Sequence, residues 1–350
     1  RAAAGALLDH LRTGDASARL AARQAGTLEA AVVMLRTELN SGGPDETGCW
    51  EGGRCAGQAA ALLWQLAYQD SEAQGRLRSL QIIPDLAVLL RLRGAEWIGE
   101  RAEAAGVLMN LAEDDEGKQM IAQTGAIPYL VDMLSSTSEV EALMAAGCLA
   151  SLALNSVSNQ EDILLCGGLE HITSLLTCPW PAVTECSLAL ISNLAASASN
   201  RPKMIRAGML VSLTGLLMDA IWRDSPAEAA QQEVEVTHDT EPFSSSTAIP
   251  NLAGNIAAVL HNIAAFDQSA ILEILLTGVA PSLVQLLVSG REYDRAYSLA
   301  LLRLMLSVPD VQLHTYLAGL GLVPALLPLL RGPPALAAAA AEALRELSAS

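Results

Sequence analysis

A corner motif recurs along this chain, and its repetition constrains the fold more than any other feature. The clearest copies are Gly125-Ala-Ile-Pro-Tyr-Leu-Val-Asp-Met-Leu, Gly278-Val-Ala-Pro-Ser-Leu-Val-Gln-Leu-Leu and Gly321-Leu-Val-Pro-Ala-Leu-Leu-Pro-Leu-Leu. Weaker copies start at Gly26, Gln81, Gly167 and Gly208. Successive anchors lie 55, 44, 42, 41, 70 and 43 residues apart. A period of 42–43 residues, with extra residues in the second and sixth units, is the signature of a stacked repeat array.

The motif has a physical reading. Glycine ends one helix because it enters the left-handed region without steric cost, and proline opens the next because its missing N–H is not needed there. Each anchor is therefore a sharp helix–helix corner. A second motif precedes the corners, as in residues 104–112 (AAGVLMNLA), 187–195 (SLALISNLA) and 257–264 (AAVLHNIA). Ala104, Val107, Leu108 and Leu111 follow the i, i+3, i+4, i+7 spacing of a helix with one buried face. The unit is three helices, one of them short. Ala and Leu dominate a chain that is 51% hydrophobic with only 12 aromatic residues, which suits a helical core.

The pattern resembles the armadillo repeat. Residues 110–136, 192–210 and 261–287 carry the matching motifs, and the resemblance covers nearly the whole chain. It implies an all-α fold: a right-handed α-solenoid superhelix of three-helix repeats. The expected units are 1–39, 55–94, 95–136, 137–178, 179–218, 249–289, 290–332 and 333–350, in a single array. Loop insertions are expected at 40–54 and 219–250. The chain opens on Arg1 rather than Met, and both ends read as third helices lacking neighbours, so a piece of a longer protein is expected.

In this family the third helix of each unit lines the concave side. Aligning those helices picks out Asp9, Gln65, Asn110, Ser151, Asn193, Asn262, Leu304 and Glu346. Gln65, Asn110, Ser151, Asn193 and Asn262 form a neutral hydrogen-bonding ladder, and an Asn amide offers both a donor and an acceptor to a peptide backbone. Helix-end hydrogen bonding is the alternative role for those amides. Four residues earlier stand Gly5, Ala61, Gly106, Gly147, Ala189, Ala258, Ala300 and Glu342, where importin-alpha-like members carry Trp. Trp64 lies one residue before Gln65, out of that register. One turn further back the face reads Gln58, Glu103, Met144, Cys186, Asn255 and Tyr297, with no single charge sign.

The second insertion carries Asp224, Glu228, Glu233, Glu235, Asp239 and Glu241 and ends in a Ser run. It reads as a solvated loop, with docking to a basic partner as the sharper alternative.

A net charge of −17 and few aromatics argue against nucleic acid, whose phosphates attract Lys and Arg and whose bases stack on rings. The charge-free stretches 142–160 and 242–266 are interrupted by Ser, Asn or Pro, so no direct membrane insertion is expected. Six cysteines without a C-x-x-C pair read as reduced thiols, favouring an intracellular and chiefly cytoplasmic setting, with organelle or cilium association as alternatives. The five histidines fall in different units, and Cys178 and Cys186 lack zinc-like spacing. No catalytic residue, cofactor or metal is expected.

These features converge on a non-catalytic protein-protein interaction scaffold, a structural or adaptor subunit of a multi-protein complex. An extended-peptide receptor of importin-alpha-like type, or a non-catalytic region of a larger enzyme or signalling protein, are the rival readings.

Overall fold

The computed structural model describes residues 2–13, 16–41, 54–223, 252–265 and 267–348. These are helical, with no strand among them. They divide into two compact units, Arg1–Ile172 and Thr173–Ser350.

In the first unit a lone helix, α1 (Ala2–Thr13), precedes three helical triplets. The first is α2 (Ala16–Gln24), α3 (Thr27–Asn40) and α4 (Arg54–Ala67). The second is α5 (Ser71–Ser79), α6 (Ile83–Leu90) and α7 (Ile98–Leu111), the last entered through a 3-10 turn, Ala95–Trp97. The third is α8 (Asp115–Gln123), α9 (Ile127–Met133) and α10 (Glu139–Ala153). Then follow α11 (Val157–Leu165) and α12 (Gly168–Leu175), which runs over the boundary. The long third helices stack side by side, α1 on α4, α4 on α7 and α7 on α10.

The second unit repeats the scheme. It comprises α13 (Pro181–Ala196), α14 (Arg201–Arg206), α15 (Met209–Arg223), α16 (Leu252–Ala264), α17 (Gln268–Leu276), α18 (Ala280–Ser289) and α19 (Glu292–Leu306). It closes with α20 (Val311–Gly319), α21 (Leu322–Leu326) and α22 (Pro334–Ser348). Here α13, α16, α19 and α22 form the third-helix row.

Two details depart from expectation. Helix α15 continues to Arg223, so residues 219–223 are helical rather than the start of a loop. After α21 the chain tightens into a 3-10 turn, Leu327–Arg331, because Pro328 cannot supply the N–H that would continue an α-helix. The expected loop at 40–54 lies largely outside the described residues.

The corners behave as their chemistry dictates. Gly26, Gly125, Gly167, Gly208, Gly278 and Gly321 all have positive φ, between 70° and 85°. Gln81 occupies the same corner at φ 54° without glycine's freedom. We expect Gln81→Gly to stabilise the protein by roughly 0.5–1 kcal/mol and Gly125→Ala to cost about 1 kcal/mol in urea unfolding. A destabilising Gln81→Gly would contradict this account of the corner.

The opposite corners, from third helix to the next short helix, use polar side chains. Asp70, Asp114, Ser156, Asp267 and Asp310 cap the short helices by accepting first-turn N–H groups. Buried side chains at the starts of the short helices then satisfy carbonyls near the end of the preceding third helix. Gln74 donates to Ala67 O at 3.1 Å, Gln160 to Ala153 O at 2.8 Å and Asn200 to Leu194 O at 3.1 Å. His314 Nε2 lies 2.8 Å from Leu306 O, and since a carbonyl only accepts, that nitrogen carries the proton.

Candidate protein-binding surface

Each ladder residue sits on a third helix: Gln65 on α4, Asn110 on α7, Ser151 on α10, Asn193 on α13 and Asn262 on α16. They are not equivalent. Gln65, Ser151, Asn193 and Asn262 are half-buried, whereas Asn110 is only 4% exposed. Its Nδ2 donates to the Trp64 carbonyl at 3.2 Å, across the contact between α4 and α7. In the first unit, then, one ladder amide is engaged in joining neighbouring repeats.

Trp64 explains the small residue at Gly106. A Cβ there would lie 3.0 Å from two atoms of the indole, so the ring occupies the space a side chain at 106 would need. The tryptophan that is out of register in the sequence reaches the small-residue row from the adjacent helix.

Beside it lies Glu103 on α7. Its Oε1 meets Arg12 Nη2 of α1 at 3.4 Å, a contact that crosses the intervening helix α4. Its Oε2 is buried without a hydrogen-bond partner, and so is Gln58 Oε1 on α4. Burial pushes the Glu103 carboxyl up to about 7, with Arg12 opposing the rise and Glu100 adding to it.

A contrasting ion pair closes the junction between α7 and α10. Arg101 Nε donates to Glu141 Oε1, and Arg101 Nη1 donates to Leu92 O and Gly94 O at 3.0 Å each. Ser136 donates to the other Glu141 oxygen at 2.5 Å. Both carboxylate oxygens are satisfied.

In the second unit, His261 hydrogen-bonds Asn262, and burial lowers the imidazole's proton affinity while that bond opposes the shift. Tyr293 and Tyr297 pack at a 4.7 Å centroid separation on α19. Gly254 of α16 leaves room for Tyr293 and Asp294, and its N–H donates to Asp294 Oδ1 at 2.9 Å. The acidic candidates Asp224, Glu228, Glu233, Glu235, Asp239 and Glu241 lie outside the described residues. Among the described residues no group of three or more His, Cys, Asp or Glu could hold a metal.

Sequence reasoning placed the five ladder residues on third helices, where they lie, but missed the Trp64–Gly106 contact and the Arg12–Glu103 bridge. Glu103 appeared only as one member of a mixed stripe. The usable signal was the coincidence of Trp64 on one third helix with Gly106 on the next.

Helical triplets with glycine corners and side-by-side third helices define an all-α solenoid of the kind that presents a repeated surface. No family model matches the chain. It is 29% identical over 152 residues to "Vacuolar protein 8" of Schizosaccharomyces pombe, 43% of this chain and 28% of that protein. It is also 29% identical over 119 residues to "Catenin beta" of Urechis caupo, 34% of this chain and 14% of that one. It thus spans under a third of the length of these relatives. Among solved structures, an engineered protein matches with a TM-score of 0.76 at 24% identity, over 99% of this chain and 74% of that one. A designed armadillo repeat protein in complex with the peptide (KR)4 matches at 0.58 and 22% identity, over 78% and 98%. The fold is the armadillo-repeat solenoid.

Proposed function

We propose that this chain is a non-catalytic protein-binding scaffold, an adaptor or structural subunit that holds partner segments along its third-helix row. The observation that carries the reading is the half-buried pair of amides, Asn193 and Asn262, at one repeat position on the adjacent helices α13 and α16. Amides regularly spaced along a row match the donor–acceptor pattern of an extended backbone. The fold it shares with a designed armadillo protein in complex with a peptide is consistent with that use. Cys148, buried as a free thiol in α10, suits an intracellular setting.

The test is affinity capture from native extract, with the captured partner identified and its affinity then measured on variants. Asn193→Ala with Asn262→Ala should weaken binding by tenfold or more. Asn110→Ala should leave binding unchanged and instead cost about 1 kcal/mol of stability, since its side chain is buried against the Trp64 carbonyl rather than half-exposed on the row. Equal losses from both variants would argue against this division. Undiminished binding in the double variant would overturn the proposed use of the amides.

A further inference from the structure

A cavity of about 340 Å³ lies in the first unit, where the corner between α6 and α7 meets the corner between α9 and α10. Arg93, Arg101, Tyr129, Asp132, Thr137 and Glu141 are among its lining residues, and no ladder residue is. Its acceptors are largely used, while its donors are not. Both Glu141 oxygens are taken, one by Arg101 Nε and the other by Ser136 Oγ. Arg101 Nη1 is committed to two backbone carbonyls, but Nη2 has no partner among the described residues. Nor is Nη2 one of the buried polar atoms cut off from solvent. The hydroxyls of Tyr129 and Thr137 likewise have no hydrogen-bond partner among the described residues.

The charges point the same way. Arg93 is 61% exposed and touches Asp132 only loosely, at 3.9 Å. Arg91 stands over the Tyr129 ring at 5.7 Å and brings a third guanidinium to the same corner. In a chain with 38 acids against 21 bases, three arginines around one cavity reverse the prevailing sign. The buried carboxylate there, Glu141, is already neutralised by Arg101. Unfilled, charged N–H donors call for an anion rich in acceptors. A phosphate ester has three terminal oxygens and a charge near −2, which suits several separate donors better than a carboxylate does.

We infer that this cavity is a subsite for a phosphoserine or phosphothreonine side chain of a partner protein. Arg101 Nη2 and Arg93 are its charged donors, and Thr137 adds a hydroxyl. The inference rests on the protein-binding reading above, but it concerns a different surface and a ligand of negative charge. Glu141 and two carbonyls hold the Arg101 guanidinium in place, so the inner donor is fixed before the ligand arrives. Arg93 supplies the outer donor by giving up its loose contact with Asp132, the group that opposes binding.

The experiment is fluorescence anisotropy of the full chain at pH 7.5 with labelled Ala-Ala-phosphoserine-Ala-Ala, where the phosphate is mostly dianionic. The same peptide with serine or glutamate at its centre is the counter-probe, and each should bind at least about tenfold more weakly. Arg93→Ala should weaken the phosphopeptide about tenfold. Asp132→Asn should tighten it about threefold by removing a like charge. Both residues are more than 60% exposed, so neither change threatens the fold. Arg331→Ala removes an exposed arginine elsewhere and should stay near the parent. The idea fails if the glutamate peptide binds as tightly, if Arg93→Ala loses no more than Arg331→Ala, or if Asp132→Asn weakens binding. Inorganic phosphate binding as tightly as the peptide would overturn the assignment to a partner's side chain. Any of these results, with partner capture still lost on Asn193→Ala and Asn262→Ala, would remove this subsite and leave the scaffold reading standing. Capture insensitive to the Asn pair, with the Arg93 and Asp132 effects present, would do the reverse.

Discussion

Glu141→Ala should destabilise the first unit by about 3–5 kcal/mol, the range for removing one partner of a buried ion pair. The Glu141 side chain is 2% exposed and that of Arg101 13%, so water replaces little of what the substitution removes. Arg101 would keep its bonds to Leu92 O and Gly94 O but lose its counter-charge, and Ser136 would lose its acceptor. Glu141 also sits in the first turn of α10, where a negative charge is favoured by the helix dipole. The pair joins consecutive third helices. In a repeat array, where each unit leans on its neighbours, the defect should appear as early loss of the contact between α7 and α10. Hydrogen exchange across residues 98–153 and urea unfolding together test this. A loss under about 1 kcal/mol would show that the pair is not the clasp described. Arg101→Met with Glu141→Leu should recover most of the loss, because an apolar pair needs no counter-charge.

How much of this was legible in the sequence follows from the range of the forces involved. The corners are local: glycine ends a helix and proline begins one within a few residues, so seven anchors could be counted without coordinates. The short-helix caps are equally local, and Asp70, Asp114 and Asp310 stand where a capping residue belongs. The ladder register was legible too, because one repeat copies the next. What each ladder residue does was not. Asn110 and Asn262 are the same amino acid at the same repeat position, yet one donates to Trp64 O and the other bonds His261. Asn110 reaches a main-chain carbonyl on the neighbouring helix, 46 residues away in sequence, whereas Asn262 bonds the residue just before it. The Arg12–Glu103 contact, 91 residues apart in sequence, is more remote still.

Glu103→Gln should change stability in the opposite direction to Glu141→Ala, raising it by about 2 kcal/mol at pH 8 and hardly at all near pH 4.5. Glu103 titrates near 7 in the folded protein, against 4.5 for an unperturbed carboxyl. Between those values the folded state holds the proton that the unfolded state has released, so stability falls as pH rises through the window and levels off above it. The full shift of about 2.5 units would correspond to roughly 3 kcal/mol, which partial exposure and relaxation reduce. Glutamine keeps the shape and removes the charge, so the parent and variant urea midpoints should diverge with pH in that window. A variant less stable than the parent at pH 8 would mean that attraction to Arg12 outweighs desolvation and that burial is not the cause of the shift. The groups that set the balance are Arg12, which favours the charged form, and Glu100, which opposes it.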